Sequence, residues 1–185
     1  MPQNVEIKAR VESLLPIRET AAQLCCKPAE SSVTQGEILN QEDVFFATPE
    51  GKGRLKLRRV NGKNQLIYYE RADDEDAKAS QWQLVEMDTS TADDLAATLT
   101  CALGVDKPVV KKKRVLYLYD QTRIHLDEVD GLGNFVELEV VMRDGQPLEE
   151  GVKIANDLME KLGISPRQYI SGSYADWLQE KEQME

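Results

Sequence analysis

An α+β fold built on an antiparallel sheet is predicted by three features of the 185-residue chain. Strand-like segments alternate charged with apolar residues, about eight such segments occur, and helical stretches follow the first strand, divide the chain near its middle and close it. In Asn4-Val5-Glu6-Ile7-Lys8-Ala9-Arg10-Val11, one face carries a carboxylate and two cations while the other carries only Val, Ile and Ala. Arg54-Leu55-Lys56-Leu57-Arg58 repeats this with three cations, and Val136-Glu137-Leu138-Glu139-Val140 with two carboxylates. Successive strand side chains point to opposite faces, so each of these strands has one densely charged face.

The elements follow in order. After strand 4–11, Ser13 to Cys26 reads as a helix, with Pro16 in its first turn and Ile17, Ala21, Leu24 and Cys25 at helical spacing. Ser32 to Thr48 is strand-like, and Pro49-Glu50-Gly51-Lys52-Gly53 turns into strand 54–60. Asn61-Gly62 marks a tight hairpin to Gln65–Arg71. The acidic run Asp73-Asp74-Glu75-Asp76 reads as a solvated loop before a strand from Ser80 to Met87. Thr89 to Leu103 has a capping residue, early acidic residues and a terminal Gly104, which predict a helix. Strands are then expected at Val109–Tyr119, Thr122–Glu128 and Asn134–Arg143, the last two joined by Asp130-Gly131-Leu132-Gly133. A helix from Leu148 to Leu162 ends at Gly163 and Pro166, and a last one starts near Ser173.

Bulk properties exclude several functions. The chain is long enough for one sizeable domain, read as 1–185, with no Pro/Gly/Ser-rich linker. A net charge of −10 argues against broad adhesion to nucleic acid or anionic lipid. No apolar run reaches the length of a membrane span, and Met-Pro-Gln-Asn lacks the basic and apolar regions of a secretory signal, so a cytoplasmic protein is expected. Cys25, Cys26 and Cys101 match no metal-ligand spacing and read as reduced cysteines.

Taken alone, an alternating charged strand is what any sheet with one face in water shows. Here the charged faces are segregated by sign, with cations at Arg54, Lys56, Arg58, Lys112 and Arg114 and carboxylates at Glu6, Glu137 and Glu139. The opposite faces hold Val5, Ile7, Leu55, Leu57, Leu138 and Val140, which need cover. If the helices supply that cover from outside, the charged faces turn inward across a barrel. Clustered groups of both signs suit a small anion and a metal.

In Val5-Glu6-Ile7-Lys8, Leu55-Lys56-Leu57-Arg58, Lys112-Lys113-Arg114, and Asp127 followed by Gly131-Leu132-Gly133-Asn134-Phe135-Val136-Glu137-Leu138-Glu139, the chain resembles the CYTH superfamily across nearly its whole length. That superfamily includes class IV adenylyl cyclases, thiamine triphosphatases and inorganic triphosphatases. The resemblance implies an eight-stranded antiparallel closed β-barrel, a tunnel for a small-molecule triphosphate, with helices packed outside. It also implies that Lys8, Arg58, Arg71, Lys112 and Arg114 bind the polyphosphate, with Lys8, Arg58 and Arg71 as the catalytic set. Glu6, Asp127, Glu137 and Glu139 would hold Mg²⁺ or Mn²⁺. Hydrolysis of an organic or inorganic triphosphate is the reading implied first. Conversion of ATP to cyclic AMP and pyrophosphate is the alternative, and a non-catalytic polyphosphate or nucleotide module is the third. Oligomeric state is not legible.

Two departures stand out. The family motif Glu-x-Glu-x-Lys is Asn4-x-Glu6-x-Lys8 here, which removes one negative charge from the metal side and weakens the case for a second metal. Arg71 stands where many members carry Lys. Arg54, Lys56 and Arg123 share the tunnel parity, which suits either a phosphate contact or an ion pair. His125, the single histidine, lies on the same face between Arg123 and Asp127, and suits proton transfer or an ordinary partnered position. Gly51-Lys52-Gly53 and Gly131-Leu132-Gly133 lack the rest of any phosphate-loop or dinucleotide pattern and read as turns. Trp82 and Trp177 read as packing residues. Ser171-Gly172-Ser173-Tyr174 resembles a C-terminal family segment that closes one tunnel mouth.

Overall fold

The computed structural model describes residues 3–25, 36–50, 52–71 and 77–184, excluding the side chain of Arg71. Cys26, the stretch 32–35, Gly51 and the acidic run 73–76 lie outside the described residues, as do the expectations placed on them. Eight strands form a closed antiparallel barrel: β1 (Gln3–Val11), β2 (Glu37–Phe46), β3 (Arg54–Val60), β4 (Lys63–Arg71), β5 (Lys78–Met87), β6 (Val110–Tyr119), β7 (Thr122–Val129) and β8 (Gly133–Val141). Around the barrel the order is β1-β5-β4-β3-β2-β6-β7-β8. Four helices accompany it: α1 (Leu15–Cys25), α2 (Thr89–Leu103), α3 (Leu148–Lys161) and α4 (Tyr174–Met184).

Local chemistry accounts for the element ends. Asn61 and Gly62 both adopt positive φ (46° and 80°), as the tight turn that matches strand twist requires between β3 and β4. Asp88 accepts a hydrogen bond from Thr91 N at 2.8 Å and starts α2, and Gly104 ends it with φ 81°. β8 stops at Val141, two residues before the expected Arg143, because a turn with Gln146 N donating to Arg143 O at 3.0 Å redirects the chain into α3.

The apolar faces point outward and the helices cover them. Val5, Ile7, Ile124, Leu126, Leu138 and Val140 are buried with Ala155, Leu158 and Met159 of α3 and with Ile17 and Ala21 of α1. Burying each large aliphatic side chain contributes about 1.5–3 kcal/mol. α3 comes close to β1 at Gly151, where a Cβ would lie 2.5 Å from Met142 Sδ and 2.8 Å from Val5 Cγ2. On the opposite side, Ala92 of α2 packs with Phe46 and Leu57. Where α1, α2 and α3 cover the outer apolar faces, the charged faces of the same strands turn to the lumen.

α4 lies over the end that carries the β7–β8 turn. Tyr174 and Trp177 pack on Phe135, with ring centroids 5.0 and 5.5 Å away, and Lys181 Nζ reaches Gly131 O at 3.1 Å. Among the described residues, no helix is long and apolar enough to cross a membrane.

Candidate active site

The lumen is a cavity of about 370 Å³ lined by Lys8, Lys56, Arg58, Lys112, Arg114 and Arg123 and by the carboxylates Glu6, Asp43, Glu137 and Glu139. Six cations against four carboxylates is a local positive excess inside a chain of net charge −10. Strand parity creates it: β3 and β6 each contribute a Lys-x-Arg pair on the inward face, and both strands flank β2.

Each Lys-x-Arg pair is gripped by one aspartate. On β2, Asp43 sits in register with Arg58. It accepts Arg58 Nε and Nη2 at 2.7 Å each and Lys56 Nζ at 2.8 Å. On β7, Asp127 sits in register with Arg114 and accepts its Nε and Nη2 at 2.6 Å each and Lys112 Nζ at 2.9 Å. Asp127 also accepts Tyr174 OH at 2.9 Å, and Arg114 Nη2 donates onward to Glu137 at 3.0 Å. Burial pushes against ionisation of both aspartates, but the neighbouring arginine and lysine outweigh it and hold each well below the usual carboxylate range. The lysines respond differently. Burial and the adjacent guanidinium push Lys56 down to about 8 and Lys112 down to about 7.

The carboxylate wall runs along β8 and β1. Glu137 Oε1 lies 3.3 Å from Lys8 Nζ, and Arg123 Nε donates to Glu139 at 2.8 Å. Glu6 stands opposite Glu139 in the β1–β8 ladder and accepts from Ser80 Oγ. Burial again opposes ionisation, and Lys8 and Arg114 outweigh it to hold Glu137 well below its ordinary value. His125 is buried between Glu137 and Glu139, 3.8 Å from each, which exceeds hydrogen-bond reach, and its Nδ1 has no hydrogen-bond partner among the described residues. Burial and Arg114 push His125 down, which favours the neutral imidazole.

Several residues take positions the alternation did not distinguish. Arg54 has tunnel parity but does not line the cavity; it reaches α4 and pairs with Asp176 at 3.0 Å, because the start of β3 lies under that helix. Asp127 has no solvent exposure and lies outside the cavity lining, its oxygens engaged by Lys112, Arg114 and Tyr174. Trp82, expected as packing, lines the lumen because β5 presents it with Leu84 inward, whereas Trp177 does pack, against Phe135. The backbone of Arg71 ends β4 opposite Ser80, and its side chain lies outside the described residues. Asp43 is a functional group that sequence reasoning missed, and Tyr174 entered that reasoning only as part of the segment at the tunnel mouth. A searchable signal existed for Asp43: an acid two residues before an apolar Phe45-Phe46 pair, on the strand between two Lys-x-Arg strands.

The donors suit a hard divalent cation. Among the described residues, no three His, Cys, Asp or Glu side chains form a protein-only cage. Mg²⁺ does not need one, since it binds through one or two carboxylates and fills its shell with water and substrate phosphates. Glu6 and Glu139, adjacent across the ladder, supply such oxygens.

Comparison with known proteins agrees with this architecture. A family model described as the CYTH domain matches residues 2–174. Adenylate cyclase CyaB of Aeromonas hydrophila is 24% identical over 179 residues, covering 93% of this chain and 90% of that protein. Among solved structures, the PH1012 protein of Pyrococcus horikoshii OT3 is 27% identical with a TM-score of 0.74, covering 94% of this chain and 98% of that one. A conserved hypothetical protein of Pyrococcus furiosus, 22% identical with a TM-score of 0.73 and the same coverages, shares the fold.

Proposed function

The chain belongs to the CYTH domain family, and from that premise we propose that it holds a triphosphate inside the barrel and cleaves one of its phosphoanhydride bonds with the help of Mg²⁺ or Mn²⁺. One observation carries this reading: six cations converge on a closed lumen in an acidic protein. A triphosphate carrying a divalent cation is a small ligand that such a positive excess would attract. Arg58 and Arg114 are held by Asp43 and Asp127 with their planes fixed, so their remaining N–H groups are oriented before substrate enters. Lys8 and Arg123 flank the carboxylate wall, and Lys56 and Lys112 supply compact charge.

During cleavage these cations offset the negative charge that builds on the transferring and departing phosphoryl oxygens. The bound metal would add Lewis-acid stabilisation of those oxygens, held through Glu6, Glu139 and the phosphates. Lys8, Arg58 and Arg71 are the proposed catalytic set, and hydrolysis by water is the first reading. Cyclisation of ATP is the second, supported by the activity named for the Aeromonas relative. In that case the ribose 3′-hydroxyl attacks the α-phosphorus and pyrophosphate leaves.

Product analysis tests this. ATP, thiamine triphosphate and inorganic tripolyphosphate are presented separately with Mg²⁺ or Mn²⁺, and orthophosphate, pyrophosphate and cyclic AMP are resolved. Orthophosphate with a diphosphate product identifies hydrolysis, and cyclic AMP with pyrophosphate identifies the cyclase. Binding without any product leaves a binding module, and no binding at all overturns the reading of the tunnel.

A further inference from the structure

Among the described side chains, six of the eight strands contribute at least one charged group to the cavity lining, whereas β4 and β5 line it with Gln65, Ile67, Tyr69, Trp82 and Leu84, the Arg71 side chain at the end of β4 lying outside the described residues. Ile67 pairs with Leu84 and Tyr69 with Trp82 in the β4–β5 register, so these four side chains adjoin as an uncharged patch, bounded at one end by Gln65, which donates to Glu86 at 3.1 Å. An inorganic polyphosphate presents charged oxygens along its whole length. Against Ile67, Leu84 and the face of the Trp82 ring those oxygens would lose water without gaining donors. An organic group attached to one end of the triphosphate would suit that patch.

The indole on that patch is fixed by the residue that departs from the family motif. Asn4 is buried in β1, beside β5. With its amide oriented to satisfy both ends, its carbonyl oxygen accepts from Trp82 Nε1 at 3.2 Å and its NH₂ donates to Gln3 O at 3.1 Å. The indole is only a donor and the backbone carbonyl only an acceptor, so the group between them must accept at one end and donate at the other. An ionised carboxylate cannot do this, because one of its oxygens would face Gln3 O. Glutamate at position 4 would therefore serve a cation, whereas asparagine serves Trp82.

Resting on the triphosphate reading above, we propose that Trp82 is a platform for an aromatic group carried by the substrate, and that Asn4 is the positioning residue that sets its ring. The substrate class is then an organic triphosphate with a planar ring system, such as a nucleoside triphosphate, in preference to inorganic tripolyphosphate.

The test compares ATP with tripolyphosphate, each as an analogue with both bridging oxygens replaced by methylene so that neither is cleaved. Affinities are measured by calorimetry with Mg²⁺. Trp82→Leu should weaken the ATP analogue about tenfold, the scale of aromatic stacking on a base, and leave the tripolyphosphate analogue within about twofold. Trp82→Phe keeps the ring face and should retain most of the preference. Asn4→Asp should lower the ratio of the two affinities about threefold in the native chain and leave it unchanged in Trp82→Phe, where no indole N–H remains to be held. In a Trp177→Phe background, Trp82 is the sole tryptophan, and its fluorescence should respond to the ATP analogue but not to tripolyphosphate. Equal affinities for the two analogues, or equal losses for both in Trp82→Leu, would overturn the platform while leaving the tunnel intact. Failure of both analogues to bind would instead defeat the triphosphate reading.

Discussion

The two Lys-x-Arg pairs of the tunnel have the same local chemistry and different surroundings. Lys56 and Arg58 share Asp43, and Lys112 and Arg114 share Asp127, each aspartate in register with its arginine. Among the described residues the Asp43 group stops there, and its Lys56 and Arg58 side chains stay 12% and 14% exposed. The Asp127 group continues to Glu137 through Arg114 and to α4 through Tyr174, with Lys112 and Arg114 only 3% and 5% exposed. A cation whose partners are all protein groups is committed to structure, whereas one that still meets water has spare donors for a ligand. The Asp127 group therefore anchors the tunnel and joins it to the lid helix, and the Asp43 group is the more available to phosphate.

Stability should separate the groups most strongly. Asp127→Asn leaves two buried cations underpaired and is expected to cost about 3–5 kcal/mol. Asp43→Asn, whose cations retain some water, should cost about 2 kcal/mol. Urea unfolding of both variants checks the order, and equal losses would show that the wider network around Asp127 contributes nothing. Both aspartates are held below their unfolded values, so their contribution is complete above the unfolded carboxylate range and is lost as pH falls through the folded values.

Affinity should show the reverse. Arg58→Ala removes a charged donor facing the lumen and is expected to weaken binding of a non-cleavable triphosphate about 30-fold, equivalent to about 2 kcal/mol, while costing less stability than Arg114→Ala. Calorimetry alongside urea unfolding on the two variants tests this. A larger stability loss in Arg58→Ala would invert the assignment.

How far this was readable from sequence follows the same division. Strand parity put Glu6, Lys8, Lys56, Arg58, Lys112, Arg114, Arg123, Glu137 and Glu139 on one side of their strands, and the closed barrel has all nine on the lumen. Parity is a property of a single strand, so the sequence carried it. What one strand cannot disclose is which side chain stands beside it. Asp43 escaped notice because its importance comes from register with Arg58 on β3. Nothing in Asp127's own segment announces its partners, Lys112 and Arg114 on the neighbouring strand and Tyr174 from a helix 47 residues away. Arg54 shares the parity of Arg58, but whether it meets the lumen or Asp176 depends on where α4 lands. Trp82 was assigned to packing because an isolated aromatic in a strand normally packs, and only ring closure by β1–β5 pairing turns it inward.

A smaller effect comes from the lysines. Lys112 and Lys56, pushed down to about 7 and about 8, lose charge in sequence as pH rises through the neutral range. Triphosphate affinity should therefore fall about tenfold between pH 6 and pH 9, by loss of charge-assisted contacts. Stability should move the other way. The unfolded lysines stay protonated up to about 10.5, so between about 7 and about 10.5 the unfolded state holds more protons and stability rises with pH. Lys112→Met should delete the step near 7 and keep the one near 8. Loss of both steps in that variant would mean the two groups are not independent.

The smallest expected effect concerns the joint between the lid helix and the anchor. Tyr174→Phe removes only the hydroxyl that donates to Asp127 and keeps the ring, which lies 4.3 Å from Lys8 Nζ and 4.9 Å from Lys112 Nζ. Burial and the Asp127 carboxylate push the Tyr174 phenol well above its ordinary value, so it stays a donor throughout the working pH range. Asp127 keeps three other donors from Arg114 and Lys112 after the substitution, so no buried charge is stranded. The cost should be one net hydrogen bond, about 1 kcal/mol, read as a small fall in the thermal midpoint with triphosphate affinity within about twofold of the native value. A tenfold loss of affinity instead would mean that the hydroxyl holds Lys112 and Arg114 in their binding geometry. The lid helix would then govern the tunnel rather than merely cover it, and the Asp127 group would belong to the binding site as fully as the Asp43 group does.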